Sequence, residues 1–291
     1  MRFEIYVFTY KEPKEMVERC VESINWSLLD YAGNLGRKVH IISTNIPETN
    51  KYLLSRFRNV SILHSPQKGK WRAVNAMIRN MNPRTDFVIC VDADSTIDQK
   101  AIRIINRAML RKDVGIVASV PRITCTTFQE NVFRVFQEIA IYRSIKKQEE
   151  RGYCGTMIES IWALKKKVLK PMPVDWVNEG DWFSRTCREA GMVHVINKNL
   201  FYDTKPVGSF NEMINVKRRI VGGGKKHGGM SIEGEWSHWT RLKETLQFMF
   251  ITDIRDVPYI IVAMFLEAAI YISLMTSPPK KEWYTAPSAR R

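Results

Sequence analysis

Five short runs rich in β-branched and aromatic residues punctuate the first 120 positions: Phe3–Phe8, Val39–Ser43, Val60–His64, Phe87–Val91 and Val114–Val120. Each is bounded by turn formers and reads as a strand. Between them, Glu12–Leu29 (with Pro13 near its first turn), Trp71–Asn80 and Gln99–Arg111 place apolar residues at helical spacing. Strands that alternate with helices in this way predict an α/β fold, a mainly parallel sheet flanked by helices. Beyond Thr126 the rhythm changes. Phe128, Val132, Phe136, Ile139 and Arg143 predict one long helix across the sheet, Gly152–Gly155 a break, and a second short α/β stretch follows. The chain has no internal repeat.

With 291 residues, 45% of them hydrophobic, the chain can bury a full core, which excludes disordered and fibrous classes. A formal charge of +15 calls for anionic partners: nucleic acid, nucleotide phosphates or acidic lipid. The five cysteines (Cys20, Cys90, Cys125, Cys154, Cys187) are odd in number, dispersed and without a C-x-x-C pair. That usage is expected of reduced thiols in a cytosolic setting and argues against zinc. The opening Met1-Arg-Phe-Glu-Ile-Tyr-Val-Phe8 is strand-like and too short for the apolar part of a signal peptide.

Asp92-Ala-Asp94 directly follows the apolar strand Phe87-Val-Ile-Cys-Val91. Strand residues at i and i+2 share a face, and ligands in open α/β sheets gather beyond the carboxyl ends of the strands. Two carboxylates there suit a divalent cation, Mn²⁺ or Mg²⁺, holding a diphosphate. The bland alternative is a helix cap or a turn. Lys70 follows Gly69, a flexible point before a cation able to reach a phosphate or a carboxylate; it reads equally as a solvated lysine at a helix start. Asn75 either braces the adjoining loop through its amide or lies on the helix surface. Glu12 suits a ribose hydroxyl or, as an acid before Pro13, a helix N-terminus.

Four segments in order carry a family resemblance: Val7-Phe-Thr-Tyr-Lys-Glu12; Gly69-Lys-Trp-Arg-Ala-Val-Asn75, in a G-K-x-x-A-h-N pattern where h is apolar; Asp92-Ala-Asp94; and Glu179-Gly-Asp-Trp-Phe-Ser-Arg185 followed by Gly191. Together, across roughly residues 3 to 225, they resemble the family 2 glycosyltransferases, which have the GT-A fold (Rossmann-like, nucleotide-diphospho-sugar transferase). The resemblance implies donor-binding residues Thr9, Tyr10, Glu12, Asn45, Gly69, Lys70, Asp92 and Arg219, with Asp94 and Asp92 on the metal. It also implies a catalytic domain over 1–230, split into a donor half (1–125) and an acceptor half (126–230). The family often has an aspartate after the second strand; here Ser43-Thr-Asn45 stands in its place, and the asparagine amide offers a base edge both a donor and an acceptor.

Transfer of a sugar to a hydroxyl with inversion needs one carboxylate as base, opposite the departing diphosphate. A second catalytic carboxylate of the glycosidase kind is unnecessary, because the leaving group is already activated. Glu179 and Asp181 are both candidates, because Gly180 interrupts the family's usual adjacent acid pair: the resemblance, through the spacing to Gly191, matches Glu179 to the family's first acid, whereas the Asp-Trp-Phe run favours Asp181, the expected base. Trp182 beside it suits either a sugar face or the core. Lys217-Arg-Arg219 and Gly222-Gly-Gly-Lys-Lys-His-Gly-Gly229 resemble, loosely, the family's basic diphosphate-contacting segment, with glycines that would let a loop close and open. His227 is read as a loop residue.

Residues 231–291 read as a C-terminal helical, membrane-associating region. Val257–Thr276 is about 20 residues long, enough for ~30 Å of hydrocarbon, and only Glu267 interrupts it. Lys280, Lys281, Arg290 and Arg291 lie beyond it and prefer the cytosol. A surface-lying or re-entrant helix at the cytoplasmic face of the cell membrane therefore fits better than a clean single pass, with an anionic membrane surface as partner; the bland alternative is a buried core helix of a soluble protein. The expected activity is transfer from a UDP- or GDP-sugar to a lipid or glycan hydroxyl. The competing class is a nucleic-acid-binding or nucleotidyl-transferring protein with a paired-aspartate metal site. Cations grouped near 165–167, 217–219 and 225–226, beside the donor and acceptor motifs, speak for the transferase, and no nucleic acid is expected as a partner.

Overall fold

The computed structural model describes residues 1–10, 12–33, 36–43, 47–65, 69–151, 160–174, 179–216 and 238–276. Eight strands form one sheet: β1 (Phe3–Thr9), β2 (Val39–Ser43), β3 (Val60–His64), β4 (Phe87–Asp92), β5 (Thr96–Ile97), β6 (Val114–Ile123), β7 (Ile161–Lys165) and β8 (Val193–Thr204). The helices are α1 (Lys14–Ala32), α2 (Pro47–Arg56), α3 (Lys70–Asn80), α4 (Ala101–Met109), α5 (Phe128–Arg151), α6 (Glu179–Glu189), α7 (210–216), α8 (His238–Ile251) and α9 (Val257–Thr276).

The strand order is β3-β2-β1-β4-β7-β6-β8-β5. The parallel expectation holds for β1 to β4, which pair side by side in the same direction. It needs correction beyond them. β7 runs antiparallel between β4 and β6, and β5 antiparallel to β8, so the sheet is mixed. The long α5 returns the chain to the sheet centre in the opposite sense, and β7 fills the gap between the two halves. β8 runs parallel to β6, with register irregularities between Val114 and Ile116 and between Ala118 and Val120.

Both faces of the central strands are buried, which explains their unbroken apolar runs. Phe87, Ile89 and Val91 point to one layer with α1 and α4. Val88 and Cys90 point to the other, with Val74 and Met77 of α3 and Phe183 and Cys187 of α6. Period-two alternation then directs Asp92 toward the α3 and α6 side. Cys20, Cys90, Cys125 and Cys187 are free thiols; Cys154 lies outside the described residues.

A third packing unit joins α5 to the C-terminal helices. Val135 and Ile139 of α5 pack with Ile260 of α9, and Val132 and Phe133 with Ala263. Arg143 of α5 bonds Glu267 of α9 at 3.1 Å and Thr245 of α8 at 2.7 Å, while Arg134 pairs with Asp256. Glu267 is thus the buried-side partner of an arginine. No helix among the described residues is long and apolar enough to cross a membrane.

Candidate active site

The site is built where β1 and β4 end. Parallel pairing sets Phe8 opposite Asp92 and Thr9 opposite Ser43, so the Thr9-Tyr10 turn and the Asp92-Ala-Asp94 segment leave the same edge of the sheet. Backbone bonds hold that edge: Ala93 N donates to Phe8 O at 3.1 Å, and Asp92 N to Ser160 O at 2.9 Å. Tyr10 N donates to a Glu12 carboxylate oxygen, which folds the turn back on itself. Thr9 Oγ1 is buried without a hydrogen-bond partner among the described residues.

Helix α3 brings the cation. Gly69, at φ 122°, precedes its first residue, a backbone conformation that calls for glycine; a Cβ there would also crowd the Trp71 ring at 3.1 Å. Lys70 then enters the helix with its side chain only 9% exposed. Its Nζ lies 3.1 Å from Asp92 Oδ1 and also pairs with Glu179, whose side chain is 1% exposed. Asn75, a turn later, is a brace. Its Nδ2 donates to Met172 O at 2.8 Å and its Oδ1 accepts from Met172 N at 2.7 Å, which pins the segment leading to α6.

Helix α6 brings the second set of acids. Glu179 and Asp181 occupy its first turn, where the helix dipole favours negative charge. They differ in setting: Glu179 is sealed and paired with Lys70, whereas Asp181 is only partly covered. Trp182 packs against the core and donates from Nε1 to Lys170 O at 3.1 Å. Beneath the helix, Ser184 meets Nδ1 of the buried His194 of β8 at 3.3 Å. Burial pushes the His194 imidazole down to about 3, so it is neutral.

The electrostatics are crowded. Burial lifts the Asp92 carboxyl to about 7; Lys70 pulls it down, while Asp94 and Glu179 push it further up. The Cys20 thiol, 3.7 Å from Asp92 O, is pushed well above its usual range by burial and then by Asp94, Asp92 and Glu12. Among the described residues, no group of three or more His, Cys, Asp or Glu is placed to hold a metal ion. Asp92 and Asp94 are hard oxygen donors in a place where negative charge is in excess. A divalent cation fits there if the remaining ligands come from a diphosphate.

The structure therefore brings Thr9, Tyr10, Glu12, Gly69, Lys70, Asp92 and Asp94 to one edge of the sheet and joins them, through Lys70, to Glu179. Asn45, Arg219, His227 and the Gly152–Gly155 break lie outside the described residues. One sequence expectation is corrected: the 165–167 cations are not beside the site. Lys165 pairs with Phe87, at the far end of β4 from Asp92, and its Nζ bonds the carbonyls of Arg111 and Lys112. Reading charge without strand direction misplaced it. Arg143 and His194 were not legible as anchors, because each owes its role to a partner more than ten positions or a whole element away.

The glycosyl transferase family 2 model matches residues 4–172, which include Lys70, Asn75, Asp92 and Asp94 and stop before Glu179. Among solved structures, glucosyl-3-phosphoglycerate synthase from Mycobacterium tuberculosis in complex with Mn²⁺, uridine diphosphate and glucosyl-3-phosphoglycerate is similar at TM-score 0.51 and 12% identity, covering 76% of this chain and 79% of that one. A second structure of that synthase, with Mn²⁺, uridine diphosphate and phosphoglyceric acid, is similar at TM-score 0.52 and 11% identity, covering 76% of each chain. At such identities the likeness is one of fold, GT-A. No curated protein matches the chain in sequence.

Proposed function

Because the chain belongs to glycosyl transferase family 2, we propose that it moves a sugar from a UDP- or GDP-sugar to a hydroxyl of a lipid or glycan acceptor with inversion. The observation that supports this best is the Lys70 bridge, which ties the donor strand end at Asp92 to the acceptor helix at Glu179. Donor and acceptor groups are thereby held on either side of one reacting centre.

Asp92 and Asp94 would hold a divalent cation, Mn²⁺ or Mg²⁺; when bound, it offsets the charge that develops on the leaving diphosphate. The Thr9-Tyr10 turn and Glu12 line the nucleoside side, and Lys70 stands ready to turn from its carboxylates toward a phosphate oxygen. Asp181 takes the acceptor proton. Its partial exposure suits a group that must meet a substrate, whereas Glu179, buried against Lys70, suits holding the base helix in place. The catalytic domain spans 1–230, and Arg219 with the glycine-rich stretch after it completes the diphosphate side. The region 231–291 sets the enzyme on the cytoplasmic face of the membrane, where a lipid-linked acceptor would be met.

The test is release of nucleoside diphosphate from a panel of UDP- and GDP-sugars, with membrane lipid extract or soluble glycans as acceptor. Release that requires both acceptor and metal, and that falls in Asp181→Asn, supports the reading. Release unchanged in Asp181→Asn overturns the base assignment.

A further inference from the structure

We infer that the α8–α9 hairpin is a lipid-docking surface that seats the protein on an anionic bilayer without crossing it. The inference rests on the transferase reading only in placing the acceptor at a membrane. It starts from an anomaly: α9 is apolar on all sides, yet among the described residues only one side of it is buried. Ile260, Ala263 and Ile270 are buried, and Glu267 points the same way to reach Arg143 and Arg241. The opposite side carries Pro258, Ile261, Phe265, Ala268, Ala269 and Ile272, all exposed. At 3.6 residues per turn these form a single stripe, in which Phe265 is 73% exposed.

The stripe continues into the turn between the helices. Phe250 and Ile254 are each 83% exposed and Ile251 68%. Apolar side chains this open stand clear of the surrounding surface, a shape that lipid can envelop and a flat protein face cannot. An apolar surface of this extent marks an interaction site. Its charge points to the partner. Lys243, on the same helical face as Leu246 and Phe250, and Arg255, 89% exposed, bracket the apolar residues, with Asp253 as the one exposed acid in this region among the described residues. The whole chain is +15, and Lys280, Lys281, Arg290 and Arg291 follow α9 in sequence. A basic rim around an apolar face is what an anionic interface attracts. The carboxylate that would oppose insertion of α9, Glu267, is neutralised on the protein side.

The experiment is flotation of the full chain with vesicles of phosphatidylcholine alone or mixed with phosphatidylglycerol. Thermal stabilisation by UDP or GDP with Mn²⁺ is measured on the same samples. Wild-type protein is expected to float with the anionic vesicles. Phe250→Ser/Ile254→Ser should lower the bound fraction by roughly tenfold or more, as two apolar side chains leave lipid. Lys243→Glu/Arg255→Glu should lower it on anionic vesicles and keeps the test open if the apolar variant misfolds. Wild-type protein that fails to float, or variants that float equally, overturn the docking surface. A wild-type dimer that the apolar variant dissociates, without flotation, assigns the face to a second copy and also overturns it. Flotation without nucleotide stabilisation would instead count against the transferase reading and leave the surface standing.

Discussion

Lys70 and Glu179, 109 positions apart in sequence, form a buried ion pair that joins the first turn of α3 to the first turn of α6, with Asp92 at 3.1 Å from the same ammonium. One cation thus faces two carboxylates from the two halves of the site. Removing it leaves a sealed carboxylate uncompensated. Lys70→Ala is expected to destabilise the protein by about 3–5 kcal/mol, the usual consequence of breaking a buried pair on one side. Urea denaturation measures it, and Lys70→Met/Glu179→Gln should recover most of the loss without recovering transfer.

The two acids of α6 should separate by readout. Asp181→Asn is expected to lower transfer by roughly 10²–10⁴-fold with nucleotide affinity unchanged, as for loss of a general base. Glu179→Gln should lower stability as well as transfer, because it disturbs the Lys70 pair. Kinetics beside melting temperatures distinguish them, and equal stability of both variants would refute the division of roles.

Asn75→Ala withdraws both hydrogen bonds to Met172. The expected loss is about 1–3 kcal/mol, from two backbone groups left without partners. Asn75→Asp should restore the bond to Met172 N alone and fall between wild type and alanine in the same urea titration.

His194 links stability to acid. Its folded value, about 3, lies below the unfolded value near 6.5. Above pH 6.5 both states are neutral and the stability is intact. Below it the unfolded chain takes up a proton that the folded chain refuses, so stability falls toward pH 3, by at most roughly 1.4 kcal/mol per pH unit from this group. His194→Phe should flatten that part of the melting-temperature profile; an unchanged slope would show that other groups carry the acid response.

Much of the first 125 residues' fold was legible in the sequence. Strands β1, β2, β4 and β6 announce themselves because both faces are largely buried, and the half-buried edge strand β3 through its apolar Val60, Ile62 and Leu63; the predicted spans fall within a few residues of the observed ones. The order of Gly69, Lys70, Asp92 and Asp94 also pointed to a shared edge. What stayed hidden depends on long-range pairing. β7 is a fully buried Ile161–Lys165, but nothing local says that it slots antiparallel between β4 and β6. β8 loses its alternation around the exposed Lys198 and Asn199, and β5 is two residues long. Glu267 was readable as an acid in need of a partner. Which arginine answers it is set by how α9 crosses α5.

The central claim, a nucleotide-diphosphate site organised by Asp92 and Asp94, is tested most directly by the melting temperature of wild-type protein and Asp94→Ala with UDP or GDP, in Mn²⁺ and in chelator. The account predicts a rise for the wild type with at least one nucleotide in Mn²⁺, none in chelator and none in Asp94→Ala. An equal rise in the variant, or no rise with either nucleotide in the wild type, would contradict it.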